Sequence, residues 1–125
     1  MKTKTNELTG AALDWAVAKC EGRGIEFEDP RDPWLTRDGI SDQPLHSYTP
    51  STDWAQGGPI IEREEISLHT TPKFAAKCMK WDASQRNTNG ACVRSQFGPT
   101  PLIAAMRCYV ASKLGDEVEI PEELQ

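Results

Sequence analysis

Residues 98 to 115, GPTPLIAAMRCYVASKLG, constrain the fold of this chain more than any other stretch. Thr100 is placed to cap a helix. Pro101 suits its first position, where a missing N–H costs nothing. Leu102, Ile103, Met106, Val110 and Leu114 then recur at helical spacing, and Gly115 supplies the stop. The whole chain has 125 residues, 38% hydrophobic and 26% charged, which suits one domain (1–125) with a modest core around such a helix.

A second helix is legible near the N-terminus. Thr9 can cap it, and Leu13, Ala16, Val17 and Cys20 follow at i, i+3, i+4 and i+7. Gly22 ends it as a left-handed residue would. Trp15 lies beside the stripe. Ile25 to Phe27 reads as a short strand. Residues 28 to 50 carry four prolines and many polar side chains, and read as a long loop with Trp34 and Tyr48 as its aromatic residues.

Residues 51 to 64, STDWAQGGPIIERE, open like a helix and then place Gly57, Gly58 and Pro59 where its second turn should be. Ser51 or Thr52 can cap the first turn, and Asp53 suits the positive end of the helix dipole. Glycine weakens a helix and proline cannot donate to the preceding turn. The expectation is two helical pieces, about 51–56 and 59–65, with a close backbone approach between them. What approaches is either a strand of the same sheet or a phosphate.

The middle of the chain reads as an antiparallel meander. Ile66 to His69 is a strand, TTPK a turn, and FAAKCMKW an alternating strand with Phe74, Ala76 and Cys78 on one face. Asn89-Gly90 marks a hairpin, and Ala91 to Phe97 returns. The acidic tail at 116–125 can form a short edge strand around Val118 and Ile120. The class is therefore α+β, a small antiparallel sheet packed with two to three helices.

Charge narrows the partners. The formal net charge is −5, with only short basic clusters such as Lys73, Lys77 and Lys80. A nucleic acid polymer is not the expected partner, because tracking a phosphate backbone takes a basic face. A local basic pocket for a small anion stays open. No apolar run reaches about 18 residues, so no membrane span is expected. The N-terminus, MKTKTNELTG, lacks the apolar stretch of a secretory signal. Cys20, Cys78, Cys92 and Cys108 form no CxxC pair and have the wrong spacing with His46 or His69 for a zinc module, so no metal is expected.

Catalytic motifs are missing from the sequence. GxSxG, the P-loop, HExxH and the dinucleotide fingerprint do not occur, so neither enzymatic activity nor a cofactor is expected. Glu62, Glu64 and Glu65 read as a solvated face. Trp15 and Trp81 read as core or interface residues.

Two helix starts stand out instead, STDWAQGGP and GPTPLIAAMR. Free backbone amides and the helix dipole make such positions suited to anions. The competing reading is ordinary caps and a Gly-Pro corner. The candidate ligand set combines these starts with nearby aromatic and cationic residues. It comprises Trp34, Tyr48, Ser51, Thr52, Trp54, Gln56, Gly57, Gly58, Arg86, Thr100 and Arg107, with Arg94 as a further cation. Indole and phenol rings can stack a base, and guanidinium forks suit phosphate.

LTGAALDWAVAKCEG, YTPSTDWAQGGPIIERE and GPTPLIAAMRCYVASKLGDEVEIPEEL together resemble the NinX family of small lambdoid-phage proteins. More distantly, the order of helices, hairpin and "TP" helix is similar to phage ABA-sandwich domains. These resemblances imply an α-β-α sandwich and a phage gene product working in the cytoplasm of the infected bacterium. The family has no known function, so they carry over no catalytic residue.

The leading expectation is a phage accessory protein that binds a small phosphorylated, nucleotide-like ligand. It would act as a sponge that withdraws a cyclic nucleotide signal of anti-phage immunity, a reading that rests on analogy of lifestyle and size. The alternative is a protein–protein interaction module acting through the segment around Trp34 and the acidic tail. Four tryptophans in so small a body also suggest a homo-oligomer, with a dimer the first expectation.

Overall fold

The computed structural model describes residues 2–29, 31–72, 77–86 and 92–124. Its elements in chain order are β1 (Lys2–Lys4), α1 (Gly10–Cys20), β2 (Gly24–Glu26), β3 (Trp34–Arg37), β4 (Ile40–Pro44), α2 (Trp54–Arg63), β5 (Ser67–Thr70), β6 (Trp81–Arg86), β7 (Cys92–Gly98), α3 (Pro101–Leu114) and β8 (Glu117–Glu119). Short 3-10 turns stand at Thr5–Glu7, Leu45–Ser47, Lys77–Met79 and Glu122–Leu124. The class is α+β, three helices with small antiparallel sheets.

The last helix is the hub. Thr100 caps it by accepting the Ile103 N–H at 3.2 Å, Pro101 is its first residue and Gly115 follows it at φ 88°. Leu102 and the whole run Ala104 to Ala111 are buried, so the helix is covered on nearly every side rather than along one stripe. Alanines 104, 105 and 111 permit this, because small side chains let neighbouring elements close in. The antiparallel meander β5-β6-β7 packs on α3, and so do α1 and α2. The end of β7 presses closely on the first turn of α3. A Cβ at Gly98 would lie 2.7 Å from the Ala104 amide nitrogen.

The N-terminal helix also begins and ends where its sequence indicates. Thr9 holds the cap position in extended geometry, without a side-chain bond, and Gly22 follows the helix at φ 80°. Leu13, Ala16 and Val17 are fully buried, and Trp15 is buried with them. The ends of the chain meet. β1 pairs antiparallel with β8, and Thr5 donates its hydroxyl to the Gly115 carbonyl at 2.7 Å. The acidic tail is thus partly a strand whose Val118 is buried, with Ile120 buried just beyond it.

Three expectations change. Residues 28 to 50 are not one irregular loop. β3 and β4 form a hairpin there, closed by Asp38 (φ 54°) and Gly39 (φ 82°), and β2 joins as a third strand. Asp-Gly with both residues at positive φ is a tight-hairpin turn that matches strand twist. Residues 51 to 65 are not two pieces. One helix runs Trp54–Arg63 through Pro59, and its N-cap is Asp53, whose Oδ1 accepts the Ala55 N–H at 3.0 Å. Pro59 and Ala55 are both exposed, so the carbonyl left without its donor stays accessible to solvent. Within the described part of FAAKCMKW, Lys77–Met79 form a 3-10 turn where a strand was expected, and β6 starts at Trp81. Phe74 and Ala76, like the Asn89-Gly90 hairpin, lie outside the described residues.

Candidate functional site

The start of α2 and the start of α3 come together. Ser51, Thr52 and Trp54 from one, and Thr100, Pro101, Leu102 and Ile103 from the other, line a cavity of about 210 Å³. What fastens them is packing at Gly57. A Cβ there would meet Leu102 Cδ2 at 2.6 Å and would also collide with the Pro50 carbonyl oxygen. Gly58 has nothing within 4 Å of the same position. The close approach expected at the glycine pair exists at Gly57, but its partners are the Pro50 carbonyl and Leu102 of α3 rather than a strand of the sheet.

The polar groups around the cavity differ in how far they are already used. The Gly57 N–H donates to the Asp53 carbonyl at 2.9 Å, inside the helix. Gln56 spends its whole side chain on the preceding loop. It accepts from the Thr49 amide at 3.0 Å and donates to Ser47 O, Thr49 Oγ1 and Asp53 Oδ2. Ser51 is almost fully buried, and its amide donates to Asp14 Oδ1 at 3.0 Å. Burial pushes the Asp14 carboxyl above the usual aspartate range, and the Ser51 hydroxyl and amide beside it pull it part of the way back. Even so, Ser51 Oγ has no hydrogen bond of good geometry within the described residues. Thr52 and Thr100 are exposed, and Trp54 keeps 53% of its surface in solvent.

The remaining candidate residues lie elsewhere. Trp34 lines a separate cavity of about 300 Å³ with Glu26, Glu28, Asp29, Asp32 and Ser41. Tyr48 is half-buried against the core, with the Arg23 guanidinium 5.5 Å from its ring centre. Burial first, and the nearby Glu21 charge second, push its phenol up to about 12. Arg107 is buried and holds the fold together. Its Nε donates to Leu8 O at 2.9 Å and its Nη1 to Phe97 O at 2.8 Å. Arg86 ends β6, and its side chain, like that of Arg94, lies outside the described residues. Among the described residues, no cationic side chain lines the cavity at Trp54.

Sequence reasoning did not single out Pro101, Leu102 or Ile103 as lining, nor Asp14 as the partner of Ser51. The helix stripe assigned Leu102 and Ile103 to the core, and Asp14 lies within α1 with no motif around it. The carboxylate-rich stretch EFEDPRD ahead of Trp34 was a readable signal for the second cavity. Among the described residues, no group of three or more His, Cys, Asp or Glu is arranged to hold a metal ion, and no helix is long and apolar enough to cross a membrane.

Comparison with known proteins agrees with the fold. A phage protein from Bacillus cereus ATCC 14579, known from a 2.0 Å crystal structure, superimposes with a TM-score of 0.57 at 18% identity. The match covers 85% of this chain and 89% of that one. No curated protein matches the chain. Residues 4–113 match the family described as bacteriophage P22, NinX. With nearly all of its length inside that match, this chain belongs to the NinX family of phage proteins.

Proposed function

We propose that the protein binds a small nucleotide-like ligand between α2 and α3 and withholds it without converting it. The observation behind this reading is a pairing at one cavity. A buried Ser51 hydroxyl without a well-made hydrogen bond and a half-exposed indole at Trp54 line the same 210 Å³ space. Folding alone tends to do the opposite, covering indoles and satisfying buried hydroxyls. A base stacked on Trp54 would cover the ring, at roughly 1–3 kcal/mol for such a contact. Its polar edge would meet the exposed hydroxyls of Thr52 and Thr100.

Phosphate belongs at the α3 end of this cavity. The Asp53 carboxylate already occupies the positive end of α2 and repels a second anion. At α3 the cap is the neutral Thr100, and the Leu102 amide finds no acceptor within the described residues. Arg107 donates to two backbone carbonyls away from this cavity and takes no part in this reading.

The biological role that follows is sequestration of a nucleotide signal of anti-phage immunity in the host cytoplasm. A homodimer fits this role, since a second copy would cover the open side of Trp54. Titration calorimetry and thermal shift against cyclic dinucleotides, cyclic trinucleotides and ADP-ribose derivatives test it. A ligand at 100 times its Kd adds about 2.7 kcal/mol of stability, and mass analysis must return it intact. A cleaved ligand would make the protein an enzyme, and a panel that shifts nothing would end the reading. The alternative, docking on a host or phage protein, draws support from Ile40, 71% exposed on the β3–β4 hairpin.

A further inference from the structure

The second cavity has a different chemistry. It sits on the β2-β3-β4 sheet. Glu26 and Trp34 face each other directly across β2 and β3, so their side chains share one face. The next residue, Leu35, is fully buried, which turns the Trp34 face away from the core. Glu28, Asp29 and Asp32, from the connection between those strands, complete the wall. Ser41 donates its hydroxyl to Glu26 Oε2 and holds that carboxylate in place. Four carboxylates and an indole 39% exposed therefore line one space of about 300 Å³.

The charge there is poorly balanced from within. Arg31 Nε lies 3.8 Å from Asp29 Oδ1, but its side chain is almost wholly in solvent, where such a pair is weak. His46 Nε2 lies 3.8 Å from Asp32 Oδ1, and it too is exposed. The carboxylates ring the cavity without converging as metal ligands would. A diffuse organic cation fits what a compact metal ion does not. A guanidinium or ammonium can spread its donors over several carboxylates while lying on the negative face of the indole.

We propose that this cavity is a docking site for a basic segment of a partner protein, with one arginine or lysine side chain seated between Trp34 and the carboxylates of Glu26, Glu28, Asp29 and Asp32. Charge complementarity selects the occupant. A protein segment is favoured over a free small cation because the four lining carboxylates carry more charge than one cationic head can balance, so successive basic residues of a chain would each find a partner there. Among the described residues this surface shares no lining residue with the cavity at Trp54, so it stands or falls separately from the ligand reading.

The test uses the full chain and the peptide acetyl-(Gly-Arg)3-amide, followed by tryptophan fluorescence and calorimetry at physiological ionic strength. Its control is the same peptide with neutral citrulline in place of arginine. The expected result is binding of the arginine peptide and none of the citrulline peptide. Trp34→Ala and the double variant Asp29→Asn/Asp32→Asn should each weaken binding at least tenfold, with unchanged circular dichroism. Glu122→Gln/Glu123→Gln, which removes the same net charge from the far tail, should bind as the parent does. Equal loss in the tail variant would reduce the effect to net charge and overturn the proposal. So would undiminished binding by Trp34→Ala, or failure of the arginine peptide to bind at all. Free arginine amide binding as tightly as the peptide would replace the protein partner with a small cation, and would overturn it too.

Discussion

Gly57 lies so close to Leu102 that a methyl group on it would stand 2.6 Å from Leu102 Cδ2. The start of α2 is thereby locked onto the start of α3, with the Pro50 carbonyl as the second wall. Gly57→Ala should destabilise the protein, because a backbone carbonyl cannot step aside as a side-chain tip can. Overpacking of this kind costs about 1–3 kcal/mol. Gly58→Ala should stay within about 1 kcal/mol of the parent, since the site is open and alanine's helix preference is set against the restriction that Pro59 places on a Cβ before it. Thermal melts of the two variants check this, and equal losses would mean the helix crossing is drawn wrongly.

Asp14 and Ser51 tie α1 to the same region, and they predict a pH dependence. Burial raises the Asp14 carboxyl, so the folded protein holds its proton more tightly than the unfolded chain. The contribution of Asp14 to stability therefore falls as pH climbs from the unfolded value, about 3.9, through the raised folded one. Asp14→Asn keeps an oxygen for the Ser51 amide and removes that fall. Its stability relative to the parent should improve from pH 4 toward neutrality. Asp14→Ala leaves a buried N–H unpaired and should cost about 1–3 kcal/mol at neutral pH. Denaturant melts across that range would contradict the assignment if Asp14→Asn lost ground with rising pH.

Arg107 was a candidate ligand cation in the sequence, and it serves as a brace. It joins α3 to the carbonyl of Leu8 and to that of Phe97 on β7. Hydrogen bonds from a charged donor contribute about 1.5–3 kcal/mol each. Arg107→Met keeps the bulk of the side chain and loses both, so it should cost about 3 kcal/mol or more. Its remaining folded fraction should still bind any ligand of the Trp54 cavity. A variant that melts like the parent but loses ligand would return Arg107 to the binding site.

What the sequence conveyed and what it hid follow from the range of the forces. Both helices with strong local punctuation were legible: Thr100, Pro101 and Gly115 bracket α3, and Thr9 and Gly22 bracket α1. The β3–β4 hairpin was obscured by its prolines, although Asp38-Gly39 was a sufficient turn signal. Pro59 and the glycine pair argued locally for a break. The continuous α2 is held by long-range packing of Ile60 and Gly57 into the core, which a local reading cannot weigh. Each half of the Trp54 cavity was visible as a helix start. That the two halves face each other depends on the packing of α2 on α3, and no local pattern encodes it. Arg107 shows the converse, since one residue type serves phosphate and backbone carbonyls equally well.

Trp54 and Trp15 make the last comparison. Trp15 is 7% exposed and Trp54 53%. Trp15→Ala should cost about 3–5 kcal/mol of stability, as large-to-small changes in a core do. Trp54→Ala removes a ring that is half in solvent, and should cost about 1 kcal/mol or less. If a nucleotide stacks there, the same change should remove roughly 1–3 kcal/mol of binding, about 5- to 150-fold in Kd at 1.4 kcal/mol per decade. Stability and affinity therefore separate at Trp54 and not at Trp15. Calorimetric titration and thermal melts on both variants, with whichever nucleotide the panel yields, read this directly. A Trp54→Ala protein that melts early while its ligand affinity stays intact would make the indole a packing residue and remove the stacking platform from the proposed site.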